Sequence, residues 1–194
     1  IETLKKFKIT KEIINYSANN ESIMDFRDGA KDFLEKMNSK GVPIIVISAG
    51  VGNIIEQFLV KNKCNYSNIY ICSNFLEYEN SIVKGVRDNN LIHPLNKNEI
   101  SLPCHIQEKI NKRNNTILLG NSVLDINMAN SNKNVYKIGF LDEKVKERMD
   151  TFKQYYDIVC TDNASYNELK NKLPQIREKE KIDFVIVNGE NSAE

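Results

Sequence analysis

An α/β fold with an open, mostly parallel sheet flanked by helices is predicted by three features of the sequence. Short, β-branched apolar runs recur along it: PIIVIS at 43–48, TILLGN at 116–121, VYKIGF at 135–140 and YDIVC at 156–160. Such runs suit strands buried on both faces. Stretches with helical spacing lie between them, and strand–helix alternation is the mark of a parallel sheet. Small polar residues follow several of the strands, where ligands bind in such sheets.

In order along the chain, Lys11 to Ala18 reads as a helix within a polar N-terminal segment. Asp25 to Lys40 places Phe26, Ala30, Phe33, Leu34 and Met37 at helical spacing, and Gly41 with Pro43 closes that helix. The strand at 43–48 turns through AGVGN into a helix near Ile54 to Lys61. A strand follows at Ile69–Ser73, then a hairpin-like piece near Ser81–Lys84 and a helix near Leu102–Asn111. The strand at 116–121 leads into a helix through Met128. Beyond it come the strand at 135–140, a helix at Asp142–Thr151, the strand at 156–160 and a helix at Ser165–Leu173. No internal repeat is seen.

The 194 residues are 41% hydrophobic with a formal charge of +1. That is enough apolar material for a core, and the charge gives no sign of nucleic-acid binding. Abundant Lys and Asn with no Trp read as the bias of an AT-rich genome. Cys64, Cys72, Cys104 and Cys160 form no CxxC pair and read as small buried hydrophobes in a reducing compartment. His93 and His105 lack metal-ligand spacing. No apolar run reaches the ~18 residues of a membrane span. No signal-peptide pattern appears, so a soluble cytoplasmic protein is expected.

Three places carry candidate chemistry. In SAGVGN, Ser48, Ala49 and Gly50 lie at a strand end before a helix, where a hydroxyl and backbone N–H groups suit an anion. Small residues also serve there simply to turn the chain. In GNSVLD, Asn121 and Asp125 lie four residues apart, an arrangement of oxygens that suits a hard cation such as Mg²⁺. The same residues also suit a helix start, with Asn121 or Ser122 as N-cap and Asp125 favouring the dipole. Lys97 sits in the polar loop PLNKNE and by itself reads as solvated surface.

Taken in order, a hydroxyl, a lysine and a carboxylate site resemble the second, third and fourth motifs of haloacid dehalogenase-type (HAD) phosphatases. The blocks IVISAGVGNIIEQ, YICSNFLEYEN, LIHPLNKNE, TILLGNSVLDINMA, YKIGFLDEKV and YYDIV resemble, more narrowly, the cytosolic type III (pyrimidine) 5′-nucleotidases. The resemblance runs from about Phe26 to Leu173. It implies a HAD-like (Rossmannoid) core at 25–173, the remnant of a helical cap at 1–24 and a C-terminal appendage at 174–194. It also implies Mg²⁺-dependent hydrolysis of nucleoside 5′-monophosphates through an aspartyl-phosphate. On that resemblance Ser48 and Lys97 are the catalytic candidates, and Ser48, Ala49, Gly50 and Lys97 hold the phosphate. Asn121 and Asp125 hold the metal.

The sequence departs from the family pattern in several ways. The apolar strand ending in D-x-D-x-T, which supplies the nucleophile and the general acid, is not found in these residues; Asp25-Phe26-Arg27-Asp28 has the wrong spacing. The chain starts at Ile1 rather than Met, so this start is read as not a natural one. Asn121 replaces a metal-binding aspartate and weakens the expected Mg²⁺ site. Asn53 replaces another aspartate. These 194 residues alone are therefore expected to be inactive, and the alternative reading is a catalytically dead binding or structural module.

The tail LKNKLPQIREKEKIDFVIVNGENSAE is similar to a strand region of bacterial YmdB-like metallophosphoesterases. That similarity implies metal ligation by Glu190 and Asn191, although the other ligands of that family are absent. A missing central strand would leave two strand edges with unsatisfied N–H and C=O groups. The apolar segment Asp183–Val187 is expected to fill that slot, as in a circular permutant. Asn188 would then stand in the nucleophile position, and Val185 would have to be paired rather than at an edge.

Overall fold

The computed structural model describes residues 6–87, 91–97, 102–111, 113–129, 134–161 and 184–188. The helix expected at Ser165–Leu173 lies outside them, as do Glu190 and Asn191.

The elements alternate as the sequence suggests. Helix α1 (Lys11–Asn19) and α2 (Ala30–Ser39) precede β1 (Ile44–Val51) and α3 (Gly52–Lys61). Then come β2 (Ile69–Asn74) and the hairpin β3 (Leu76–Glu79) and β4 (Ile82–Val86). Helix α4 (Cys104–Ile110) leads to β5 (Asn115–Gly120), a 3-10 helix (Val123–Ala129), β6 (Asn134–Leu141), α5 (Val145–Tyr155) and β7 (Ile158–Thr161). Strand β8 (Phe184–Asn188) comes last.

Six strands form one sheet in the order β2-β1-β8-β5-β6-β7, with every pairing parallel. The last strand in the chain thus lies in the middle of the sheet. Ile44 faces Val185 and Ile47 faces Asn188 on one side. Thr116 faces Phe184 and Leu119 faces Val187 on the other. Val185 is 0% exposed and also receives an anchoring bond at the foot of the sheet, its N–H donating to Pro43 O at 2.9 Å. The tail segment therefore fills the slot expected of it, and it does so as a core strand with both edges paired.

Both faces of the sheet are covered, which explains why its strands read as unbroken apolar runs. Ile44, Val46, Ile117, Leu119, Ile138 and Val185 pack on one face with Met37 of α2 and Ile55 and Leu59 of α3. Ile45, Ile47 and Leu118 pack on the other face with Ile106 and Ile110 of α4, Met128, and Phe152 of α5. A separate small cluster joins Ile14 of α1 to Leu76 and Val83 of the hairpin. Lys11 N–H donates to Ser81 O, and Val83 N–H to Ile9 O, so α1 and the hairpin are tied through their backbones.

The differences from expectation have local causes. Helix α2 begins at Ala30 rather than Asp25, because Gly29 takes a left-handed φ of 74° and the Asp25 carboxylate turns back to accept from Phe26 N–H. Helix α5 spans 145–155 rather than 142–151. Asp142, the natural N-cap, forms an ion pair with Arg27 instead, and Lys144 has a left-handed φ of 50°. The hairpin turns through Asn80 and Ser81, both with positive φ, as a tight two-residue connection requires. The segment after β5 is 3-10 rather than α-helical. Cys64, Cys72 and Cys160 are buried and all four cysteines are free. Burial pushes the Cys72 thiol up to about 12. Cys104 departs from the expectation and is exposed, because α4 turns Ile106 and Ile110 inward and leaves its first residue outside. Among the described residues no helix is long and apolar enough to cross a membrane.

The position of β8 can be checked by substitution. Val185→Asp places an unpartnered charge in the centre of the sheet, and a loss of ~3 kcal/mol or more is expected. Urea unfolding followed by circular dichroism measures it. A midpoint equal to that of the unsubstituted chain would place the strand outside the core.

Candidate active site

The carboxyl ends of β1, β8 and β5 lie side by side. Two strand spacings of ~4.8 Å separate β1 from β5 at this edge. Ser48, near the end of β1, is 0% exposed. Its Oγ accepts from Gly50 N–H at 3.0 Å, drawing the chain into a tight loop. Ala49 is half-buried and Gly50 exposed. A Cβ on Gly50 would lie 3.2 Å from Ser48 Oγ, so its absence leaves the hydroxyl room. The strand runs on through this loop to Val51, and its pairing with β2 shifts register between Ile47 and Val51.

The loop after β5 is held by its own acid. Asp125 is 1% exposed, and its Oδ2 accepts from Asn121 N–H at 3.0 Å and Ser122 N–H at 2.9 Å. Ser122 Oγ accepts from Leu124 N–H at 3.3 Å, the bond of a helix cap. The other Asp125 oxygen faces Lys97, with Nζ 3.7 Å from Oδ1. Lys97 is only 3% exposed, so the lysine that read as solvated surface is buried and turned to the strand ends. Two opposite charges out of water are tolerable only when paired and further hydrogen-bonded, which describes Asp125 well.

Several residues that support this arrangement gave no signal of their own in the sequence. Tyr156, buried after α5, donates its hydroxyl to Ser122 O at 2.6 Å. Burial, and then the neighbouring Asp125, push its phenol well above the usual range, so it stays a donor. Gly120 makes room for it, since a Cβ there would lie 2.5 Å from the Tyr156 hydroxyl and 2.8 Å from Asp125 Cβ. Arg27 lies 4.5 Å over the Phe140 ring and pairs with Asp142 just past β6, fixing the approach to α2. Asn53 accepts from Leu76 N–H at 2.6 Å through its Oδ1. An aspartate could accept the same bond, so the amide preserves the link from α3 to the hairpin.

Asn121 is half-buried at the same edge. With Asp125 it offers part of the oxygen shell that a hard cation needs, and Mg²⁺ asks for near-octahedral coordination. Asp125 already serves two amides and a lysine. Among the described residues no group of three or more His, Cys, Asp or Glu stands together to hold a metal ion. His93 accepts from Leu95 N–H through Nδ1 within its own loop, and His105 is exposed on α4.

The blocks that build this edge belong to a known family. The pyrimidine 5′-nucleotidase (UMPH-1) family matches residues 2–177. The chain belongs to that family. The 7-methylguanosine phosphate-specific 5′-nucleotidase of Rattus norvegicus is 32% identical over 182 residues, covering 90% of this chain and 58% of the rat protein. The corresponding protein of Gallus gallus is 34% identical over 180 residues, covering 90% and 62%. A crystal structure of cytosolic 5′-nucleotidase IIIB bound to cytidine superposes with a TM-score of 0.73 at 28% identity, over 85% of this chain and 56% of that one. A phosphoserine phosphohydrolase-like protein from Francisella tularensis shares the fold, with a TM-score of 0.58 at 16% identity. The chain thus spans little more than half the length of these nucleotidase relatives. Its parallel sheet with flanking helices is the HAD-like architecture of the cytidine-bound neighbour.

Crowding around Gly120 makes a direct test of the geometry of the loop after β5. Gly120→Ala is expected to lower stability by ~1–3 kcal/mol through overpacking. Tyr156→Phe removes one hydrogen bond and is expected to cost ~0.5–1.5 kcal/mol. In the double variant the two losses should fall short of their sum, because the Phe ring relieves the clash with the hydroxyl. Strict additivity in thermal unfolding would mean that the two residues do not meet.

Proposed function

We propose that this chain carries the phosphate-binding part of a Mg²⁺-dependent 5′-nucleotidase, a cytoplasmic enzyme that hydrolyses nucleoside 5′-monophosphates. The observation that carries the reading is the buried Lys97–Asp125 pair at the strand edge that also holds Ser48. A phosphoryl group asks little covalent chemistry of its protein and much electrostatics. In this reading the Ser48 hydroxyl donates to a phosphate oxygen, and Gly50, with no side chain, lets the phosphate come close to the 49–50 backbone. Lys97 supplies a point charge against the dianion, as a flexible ammonium does well. Asp125 keeps that charge in place while the site is dry and braces the loop that carries Asn121. Residues 1–24 belong to the cap in this reading and 25–173 to the core.

Mg²⁺ enters the reading as a cation that Asn121 and Asp125 would help to hold. It would offset phosphate charge and let an anionic nucleophile approach. Asn121 brings no negative charge, so the cation is expected to bind weakly. The substrate class follows from family membership. A nucleoside monophosphate is consistent with the names of the relatives, and the choice of base is left to cap residues.

A second reading, a catalytically inert phosphate-binding module, is favoured by β8. That strand ends at Asn188, level with Ile47 of β1. An amide there cannot form an acyl phosphate. These 194 residues contain no D-x-D-x-T. We therefore expect them to bind phosphate without turning over nucleotide.

Two measurements check this. Titration calorimetry with inorganic phosphate should show binding that Lys97→Ala weakens about 10- to 100-fold, the worth of a charged hydrogen bond. Ser48→Ala should weaken it by several-fold at most. Phosphate affinity indifferent to Lys97→Ala would end the anion-site reading. In a second assay, phosphate release from a panel of nucleoside monophosphates with Mg²⁺ should stay at background for the unsubstituted chain. Release by the unsubstituted chain would reveal a nucleophile elsewhere.

A further inference from the structure

The anion loop and the lysine loop come from different parts of the chain, and one buried side chain joins them. Asn74, the last residue of β2, is 6% exposed. Its Nδ2 donates to Ala49 O at 2.7 Å and to Ile92 O at 2.9 Å. Its Oδ1 accepts from Ile92 N–H at 2.8 Å. One amide thus binds the main chain beside Ser48 and reads both polar groups of Ile92, in the manner of one peptide unit pairing with another.

The loop that Asn74 grips behaves as a unit. Asn96 Oδ1 accepts from His93 N–H at 2.7 Å, and Asn96 Nδ2 donates to Leu91 O at 2.9 Å. Asn96 N–H donates to His93 O at 3.0 Å. Ile92 also packs its side chain on the sheet. Lys97 follows directly and reaches back to Asp125. A braced segment held at Ile92 carries its lysine to a fixed place, and the other end of Asn74 fixes that place relative to Ala49. Ser73 adds a bond from Oγ to Gly50 O at 3.0 Å, so the end of β2 grips the anion loop twice.

From this geometry we infer that Asn74 is a positioning residue, which sets the separation between the Ser48–Gly50 loop and the Lys97 ammonium and so fixes the affinity of the site for a phosphate dianion. Asn is suited to the task, since only an amide offers two donors and an acceptor in one short plane. An aspartate would turn a carboxylate toward two carbonyl oxygens. The inference rests on the anion-site reading above and adds to it a residue that touches no phosphate.

The test is a double-mutant cycle on inorganic phosphate affinity, measured by calorimetry on the whole chain with folding checked by circular dichroism. Asn74→Ala is expected to weaken phosphate about tenfold and Lys97→Ala by at least as much. The double variant should bind within about twofold of Lys97→Ala alone, because Asn74 acts through the lysine. Effects that multiply in the double variant, or native affinity in Asn74→Ala, would overturn the inference while leaving the anion site in place. A general structural role would not produce coupling confined to Lys97. The unsubstituted chain supplies a second readout should the variant fail to fold. Phosphate should slow hydrogen exchange at the Ile92 and Gly50 amides together, and an Ile92 amide unchanged at saturating phosphate would overturn the proposal. Failure of the unsubstituted chain to bind phosphate is a different result, which removes the site itself and the inference with it.

Discussion

The structure depends on the hydrogen-bonding of the two strand edges that face each other across the middle of the sheet. Strands β1 and β5 are both buried on both faces, so their backbone groups have no water to turn to. Each unsatisfied group would cost ~1–3 kcal/mol, and two bare edges would carry several. Strand β8 resolves this by pairing with both. Its apolar run matches its neighbours in kind, and Val185 completes the packing layer of Ile44, Ile117 and Ile138. Everything at the functional edge inherits its geometry from that closure, because the distance from Ser48 to the β5 loop is the width of the strand between them.

On that frame the polar residues divide into two groups. Ser48, Lys97 and Asp125 are buried, and Lys97 and Asp125 face each other. Asn74 and Tyr156 are set behind them, each satisfying main-chain groups of a loop that carries one or two of the first three, and Asn53 ties α3 to the hairpin. The arrangement is economical in charge. One lysine and one aspartate lie out of water, and the rest of the bracing is done by amides and hydroxyls. These braces carry no net charge, so the formal charges among these residues are those of Lys97 and Asp125, which pair with each other.

Much of this was legible in the sequence, and the limits of that legibility are physical. Alternating apolar runs gave the parallel sheet because two-sided burial leaves no polar face to confuse the pattern. The ends of α2 and α5 were misplaced because Gly29, Lys144 and the Arg27–Asp142 pair decide them, and a pair 115 residues apart in sequence leaves no local trace. The place of β8 could be argued from unsatisfied edges, since that reasoning needs only the strand order and an apolar segment of suitable length. Lys97 was unreadable alone: a lysine in a polar loop looks like surface until its loop is seen folded over the strand ends. Asn74 and Tyr156 lay inside recognised blocks, SNF and YYDIV, but their work is to bond main-chain atoms, and main-chain atoms carry no letter in a sequence.

The loops at the strand ends are braced from several elements at once. The groups proposed to hold an anion lie on β1 and on the 91–97 loop, and Asp125 of the loop after β5 pairs with the lysine. They are fixed by bonds among themselves and to β2 and Tyr156. None of those bonds passes through the last residue of β8. A change at Asn74 or Gly120 would disturb these loops at once, since Asn74 bonds Ala49 and Ile92 and a Cβ on Gly120 would meet Tyr156 and Asp125. The geometry of this edge is thus shared among β1, the end of β2, the 91–97 loop and Tyr156, all arranged around one central strand.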